Sequence, residues 1–218
     1  MSHIFISYSR KDIDFAGKIV AALAENDLDT WVDWKSIPKG EDWLKEIYQG
    51  IEEAEAFLFL ISTDSVMSEP CNLEIAHAVK NGKRILPVFI ANVDDKEVYG
   101  VTGKFIYKES KEEINRRNFI FCRDENDDFK KAIEQIQTTI HTDYDWLKYH
   151  TRLQVKALEW ERTEDKSRLL RGKELREGEE QLAHGHIEPL STELQRTYLL
   201  NSRKHEERQR RKVRKGFF

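Results

Sequence analysis

The acid Glu74 sits three residues after Cys71 in the run Cys71-Asn72-Leu73-Glu74, which follows an apolar stretch at 56–61. Two further segments rich in polar chemistry stand in the same relation to apolar runs. Ser7-Tyr8-Ser9-Arg10-Lys11-Asp12 comes after Ile4-Phe5-Ile6, and Asp33-Trp34-Lys35 leads on to Trp43 after Thr30-Trp31-Val32. Each segment lies just after a short hydrophobic run and just before a helical pattern. If the runs are parallel strands, all three segments emerge at the carboxyl edge of one sheet, where open α/β folds bind ligands. A lone carboxylate in that crevice, with a basic loop and indole rings around it, suits a charged nucleotide.

Other chemistries find less support. There is no GxGxxG and no P-loop, so neither a dinucleotide-binding dehydrogenase nor an NTPase is indicated. The seven His show no metal-ligand spacing with Cys or acids, and no metal or cofactor is expected. No Ser/His/Asp order stands out. His77 reads as a surface residue of its helix.

The elements that must position these residues alternate. A strand over 3–7 precedes a helix capped by Asp12, whose apolar residues Phe15, Ile19 and Leu23 recur every four positions. Asn26-Asp27 breaks it, and a second strand covers 30–32. A loop with Pro38 and Gly40 leads to a helix from about Asp42, with Trp43, Ile47 and Ile51 on one face. The run 56–61 is apolar at every position, as a central strand covered on both sides should be. A loop over 62–70 precedes a helix of Leu73, Ala76 and Val79, ended by Asn81-Gly82. Strands over 84–91 and 118–122 follow, and Phe129, Ile133, Ile136 and Ile140 make a closing helix. The stretch 92–117 reads as an irregular connection with one short helix. Alternating strand and helix predict a five-stranded parallel sheet with helices on both faces.

Strand signals stop after residue 141. A helix is predicted over 144–162, and a short charged one over 169–182 that Gly172 and Gly178 weaken. Thr192-Glu193-Leu194-Gln195 fits a capping box opening a last helix. The chain is 39% hydrophobic and 35% charged, which fits a soluble protein with one unusually polar portion. Residues 1–140 carry 18 Lys/Arg against 26 Asp/Glu, whereas 141–218 carry 18 against 14. The two parts therefore have opposite net signs and differ in surface and partner. Two domains are expected, 1–140 and a charged helical extension at 141–218. Two distant cysteines fit a reducing, cytoplasmic setting. The N-terminus has no signal-peptide pattern, and no apolar run is long enough to span a bilayer.

Several of these segments, in this order and spacing, resemble the Toll/interleukin-1 receptor (TIR) domain. Phe5-Ile6-Ser7-Tyr8-Ser9 with an acid-capped helix is similar to its first box. Thr30-Trp31-Val32-Asp33, then Ile37-Pro38-Lys39-Gly40, resembles its second strand and BB loop. Residues 57–62, followed by Ser65, Ser68, Cys71 and Glu74, resemble the strand and helix that hold the catalytic glutamate of NAD-cleaving members. Arg84-Ile85-Leu86-Pro87-Val88 resembles its fourth strand. The resemblance implies a flavodoxin-like fold and two alternatives. One is an NAD⁺ glycohydrolase of bacterial type, active in anti-phage defence or toxicity, that yields nicotinamide and ADP-ribose or a cyclic variant. The other is a non-catalytic scaffold that assembles through TIR–TIR contacts.

The resemblance makes Glu74 the catalytic candidate. A pyridine leaves as a neutral base, so no general acid is needed. A carboxylate beneath the ribose can stabilise the oxocarbenium-like transition state. Glu74 is expected in the first turn of its helix, where the macrodipole favours its charge and burial opposes it; the other reading is a glutamate that merely stabilises a helix start. Ser7, Tyr8, Ser9 and Arg10 precede a helix N-terminus, a natural place for phosphate oxygens, and Arg10 could meet the diphosphate. Lys11 reads equally as a solvated residue. Trp43 either stacks on a nicotinamide or adenine ring or packs in the core. Trp34 is the better exposed candidate, and Asp33 either orients ribose or caps its loop, with Lys35 beside them. Cys71, next to a carboxylate, is a small packing residue of the site rather than a thiolate. Ile37, Pro38, Lys39 and Gly40 are the self-association candidates, since family members build the site partly from a neighbour's BB loop.

The extension resembles the helical segment that follows the TIR domain in some bacterial proteins, ahead of a sensor or membrane-anchored region. Its stretch 203–215 carries eight Lys/Arg and two Glu. Such a cluster suits an anionic membrane or nucleic acid, and a solvated helix end is the alternative.

Overall fold

Five short apolar runs become one parallel sheet in the computed structural model, which describes residues 2–32, 41–91, 108–123, 126–183 and 187–215. The strands are β1 (Ser2–Ser7), β2 (Leu28–Trp31), β3 (Ala56–Ile61), β4 (Arg84–Phe89) and β5 (Ile120–Phe121), in spatial order β2-β1-β3-β4-β5. Every neighbouring pair runs parallel. The order reverses between β1 and β3, and that switch point opens a crevice at the carboxyl edge of the sheet. The helices joining the strands are α1 (Ile13–Ala24), α2 (Glu41–Glu53), α3 (Thr63–Val66), α4 (Glu69–Lys80) and α5 (Lys108–Asn115), and α6 (Phe129–His141) follows β5. The chain divides into two compact units, Met1–Tyr144 and Asp145–Phe218.

The period-2 alternation of strands sends two sets of side chains to two faces. Ile4, Ile6, Leu58, Leu60, Leu86 and Val88 meet α1 and α6 through Ile19, Leu23, Ile133 and Ile136. Phe5, Phe57, Phe59, Ile61 and Phe89 meet Ile47 and Ile51 of α2 and Cys71, Ile75 and Ala78 of α4. All six residues of β3 are buried, as its unbroken apolar run requires. The second face is aromatic. Phe5 stacks on Trp31 at 4.8 Å and on Phe57 at 5.5 Å. Gly50 of α2 lets Trp31 fit, because a Cβ there would lie 3.0 Å from the indole.

Several boundaries differ from expectation. β2 starts at Leu28 and ends at Trp31, and the polar stretch after β3 contains the short helix α3. Ser62 and Ser65 open that helix with a reciprocal capping box. Asp12 does not cap α1 with its side chain. Ser9 instead opens a 3-10 turn over Arg10–Asp12, and Asp12 is drawn away to accept a hydrogen bond from Ser62. α4 also starts earlier than read, at Glu69, with Ser68 as its cap and Pro70 in its first turn. Its buried face is Cys71, Asn72, Glu74, Ile75 and Ala78, not the Leu73/Ala76/Val79 face.

The second unit holds all but the first residue of α7 (Tyr144–Thr163), together with α8 (Gly172–Ala183) and α9 (Glu193–Lys215). Leu153, Ala157, Leu169, Leu170, Leu175, Tyr198 and Leu199 form its core. The expected capping box is present, with Gln195 N–H donating to Thr192 Oγ1 and Thr192 N–H to Gln195 Oε1. Gly178 is a contact residue: a Cβ there would lie 2.7 Å from Leu199 Cδ2 and 3.2 Å from Tyr149 Oη. Among the described residues no helix is long and apolar enough to cross a membrane.

Candidate functional site

Ser7 ends β1 on the same face as Phe5, the face against which α4 packs. Its Oγ donates to Glu74 Oε2 at 2.5 Å across 67 positions of sequence. The contact exists because β1 and β3 are neighbours and α4 follows β3. Ser7 is buried and Glu74 is 9% exposed, so the carboxylate is withdrawn from bulk water yet reaches a cavity. That cavity, of about 360 Å³, is also lined by Phe5, Tyr8, Ser9, Arg10, Trp43 and Cys71. Ile6, Lys11, Ser68 and Pro70 complete it.

Glu74 is the sixth residue of α4, beyond the first turn in which the helix dipole acts strongly. The bond from Ser7, rather than a helix terminus, is what holds its carboxylate. Burial, and then the Glu74 charge, push the Cys71 thiol up to about 12. Its Sγ points to the Tyr8 carbonyl oxygen at 3.4 Å. Cys71 is thus a protonated, small wall residue. Trp43 packs against the aromatic core and also lines the cavity.

The loops beside the crevice are tied together. Ser62 Oγ donates to Asp12 Oδ2 at 2.6 Å, and Lys11 Nζ to Asp64 Oδ1 at 2.5 Å. Burial raises the Asp12 pKa, the Ser62 bond acts against that, and the Asp64 charge adds to it. Asp12 reads from its type as a cap rather than as part of this loop network, and Ser62 and Pro70 escape a reading by residue type. Only their positions after β3 carried a signal. Asp33, Trp34, Lys35, Ile37, Pro38, Lys39 and Gly40 lie outside the described residues.

The amino edge of the sheet buries charge as well. Lys83 is 2% exposed, and its Nζ donates to the carbonyls of Glu52 and Ala54 at 2.6 and 2.7 Å. Burial pulls its pKa down to about 7, against the pull of Glu52, Glu55 and Glu53. His77 is no surface residue. Its ring stacks on Tyr48 at 3.9 Å, and its Nε2 lies 3.0 Å from Glu52 Oε1. A separate hollow of about 430 Å³ lies between α1 and the segment after β5, lined by Lys18, Glu25, Arg123 and Asp127 among others. Arg123 and Asp127 are bonded to each other there, and none of the candidate site residues lines it.

Comparison with known proteins agrees with this architecture. The chain is similar to the TIR domains of the activated Roq1 resistosome that directly recognises the pathogen effector XopQ. Identity is 20%, the match covers 64% of this chain and 99% of that one, and the TM-score is 0.53. It is also similar to the TIR domain of the Toll-related receptor TRR-2 from Hydra magnipapillata, at 13% identity over 62% and 94% of the two chains, TM-score 0.46. A CMP N-glycosidase from Clostridium botulinum, BcmB, matches at 13% identity over 63% and 99%, TM-score 0.39. At its identity the likeness to the Roq1 TIR domains bears on the fold alone. No curated protein matches the chain. A profile of the TIR domain matches residues 4–137, a span that takes in all five strands but for the first two residues of β1, and the chain belongs to the TIR domain family.

Proposed function

We propose that the crevice is the active site of an NAD⁺ glycohydrolase that releases nicotinamide. The observation that carries this reading is the buried pair of Ser7 and Glu74 opening onto a cavity at the β1/β3 switch point. In this reading the nicotinamide–ribose bond breaks and nicotinamide leaves with the bonding pair as a neutral base. Positive charge then spreads over the ribose C1 and ring oxygen. Glu74 stabilises that charge, and Ser7 holds the carboxylate so that no reorientation is needed as the charge develops. Water then adds at C1 and loses a proton to give ADP-ribose, or a nucleophile within the same molecule adds to give a cyclic product.

Arg10 at the loop before α1 is suited to the diphosphate, and Trp43 offers a ring to stack on a base. Asp33, Trp34 and Lys35 belong to the same substrate set. Self-association through Ile37, Pro38, Lys39 and Gly40 switches the enzyme on, as the family resemblance implies. The setting is a cytoplasmic, bacterial defence or toxicity pathway.

The test is NAD⁺ loss and nicotinamide release at high protein concentration, with and without a crowding agent, for wild type beside Glu74→Gln. Turnover by wild type alone supports the reading. Equal turnover by both removes Glu74 from the chemistry. No turnover by either, with assembly verified by light scattering, makes the protein an interaction module instead.

A further inference from the structure

Helix α9 sorts its charges by face. Arg203 is bonded to Glu179 of α8 through two nitrogens, and Arg210 reaches Glu206 at 3.2 Å. Glu206 also accepts from the backbone N–H of Gly172 at the start of α8. These groups hold α9 against α8. Lys204, Arg208, Arg211 and Lys212 are all exposed and lie on another side of the helix, within an arc of about 100° given 3.6 residues per turn. No carboxylate lies within ion-pair distance of these four among the described residues. Glu207 borders the arc and Glu206 lies on the far side. The stripe runs for about 12 Å along the axis.

We infer that this stripe binds the phosphate backbone of duplex nucleic acid. A straight single-sign stripe on a regular helix matches a linear array of phosphates, the source of sequence-independent affinity. No aromatic side chain lies in the stripe to stack on bases, so contact is with the backbone rather than with sequence. An anionic membrane fits less well. A helix lying in the lipid interface needs an apolar face beside its basic one, and the exposed apolar residues of α9, Leu200 and Val213, do not form one. Val213 lies on the side away from the stripe.

The experiment is binding of the full chain to a mixed-sequence DNA duplex, followed by fluorescence anisotropy across a salt series. Four phosphate contacts predict a slope of about −3 to −4 in log affinity against log salt, so binding weakens on the order of 100-fold between 50 and 200 mM. The variant K204E/R208E/R211E/K212E is expected to lose binding at least tenfold. K204R/K212R retains it, as does Lys130→Glu on the exposed side of α6. Salt-independent binding, no binding at low salt, or an equal loss in Lys130→Glu would overturn the proposal. So would tighter salt-dependent binding to phosphatidylserine vesicles than to DNA, which would assign the stripe to a membrane. None of these readouts depends on NAD⁺ turnover.

Discussion

Helix α4 runs between two buried charged groups of opposite character. At the carboxyl edge it presents Glu74, bonded to Ser7 and opening on a cavity. Near the amino edge it presents His77 to Glu52, and Lys83 follows it, donating to two backbone carbonyls. Both edges carry the desolvation cost of charge. They differ in what faces the charge. The carbonyls that receive Lys83 end α2, so its work is to join the α2 end to the start of β4. The carboxylate of Glu74 is approached through space that a ligand can enter. Burial alone marks neither as functional, and access to a cavity separates them.

Substitutions at the two edges sharpen this contrast. Glu74→Gln keeps the shape and the hydrogen-bonding capacity but removes the charge, and is expected to cost at least about 100-fold in NAD⁺ turnover with an unchanged thermal midpoint. Lys83→Met removes the amine that donates to the Glu52 and Ala54 carbonyls and is expected to cost about 1–3 kcal/mol of stability at pH 7 in urea titrations. Ser7→Ala removes this hydroxyl donor from the Glu74 carboxylate and is expected to lower turnover about tenfold, with partial rescue by Ser7→Thr. Loss of stability without loss of turnover in Ser7→Ala would make that bond structural.

The amino edge also predicts a pH dependence. The Lys83 pKa is about 7 in the folded protein against 10.5 for the unperturbed side chain. Between those values the unfolded chain holds a proton that the folded one does not, so this group's contribution to stability rises with pH through that window. The deficit of Lys83→Met relative to wild type is therefore expected to be larger at pH 9 than at pH 6. A smaller deficit at pH 9 would contradict the buried-amine account. The smallest effect concerns the thiol in the cavity wall. Cys71, held protonated to about 12 and buried, is expected to resist iodoacetamide at pH 8, as read by mass spectrometry of the native protein.

How much of this was legible in the sequence depends on the range of the interactions. β1, β3 and β4 were readable because their apolar runs are short and bounded, and the fully apolar 56–61 announced a strand covered on both faces. The pairing of Ser7 with Glu74 was foreshadowed only by both following apolar runs. Their contact needs β1 and β3 to be neighbours, which parallel topology supplies and local pattern does not. Asp12 was read as a cap from its type, but Ser62 from another loop outcompetes the helix end for it. His77 was read as exposed because no local pattern says that Tyr48 and Glu52 of α2 cover it. The face of α4 was misplaced because its cap is Ser68. With Pro70 in the first turn, the helix begins earlier and brings Cys71, Glu74 and Ile75 inward.

The most direct test measures nicotinamide release and thermal midpoint on the same preparations of wild type, Glu74→Gln and Lys83→Met. The expected result is a double separation: Glu74→Gln melts like wild type and releases no nicotinamide, while Lys83→Met melts lower and, below its midpoint, turns over NAD⁺ at the wild-type rate. Full turnover in Glu74→Gln, or a loss of turnover in folded Lys83→Met as large as that in Glu74→Gln, would contradict the assignment of chemistry to the carboxyl edge.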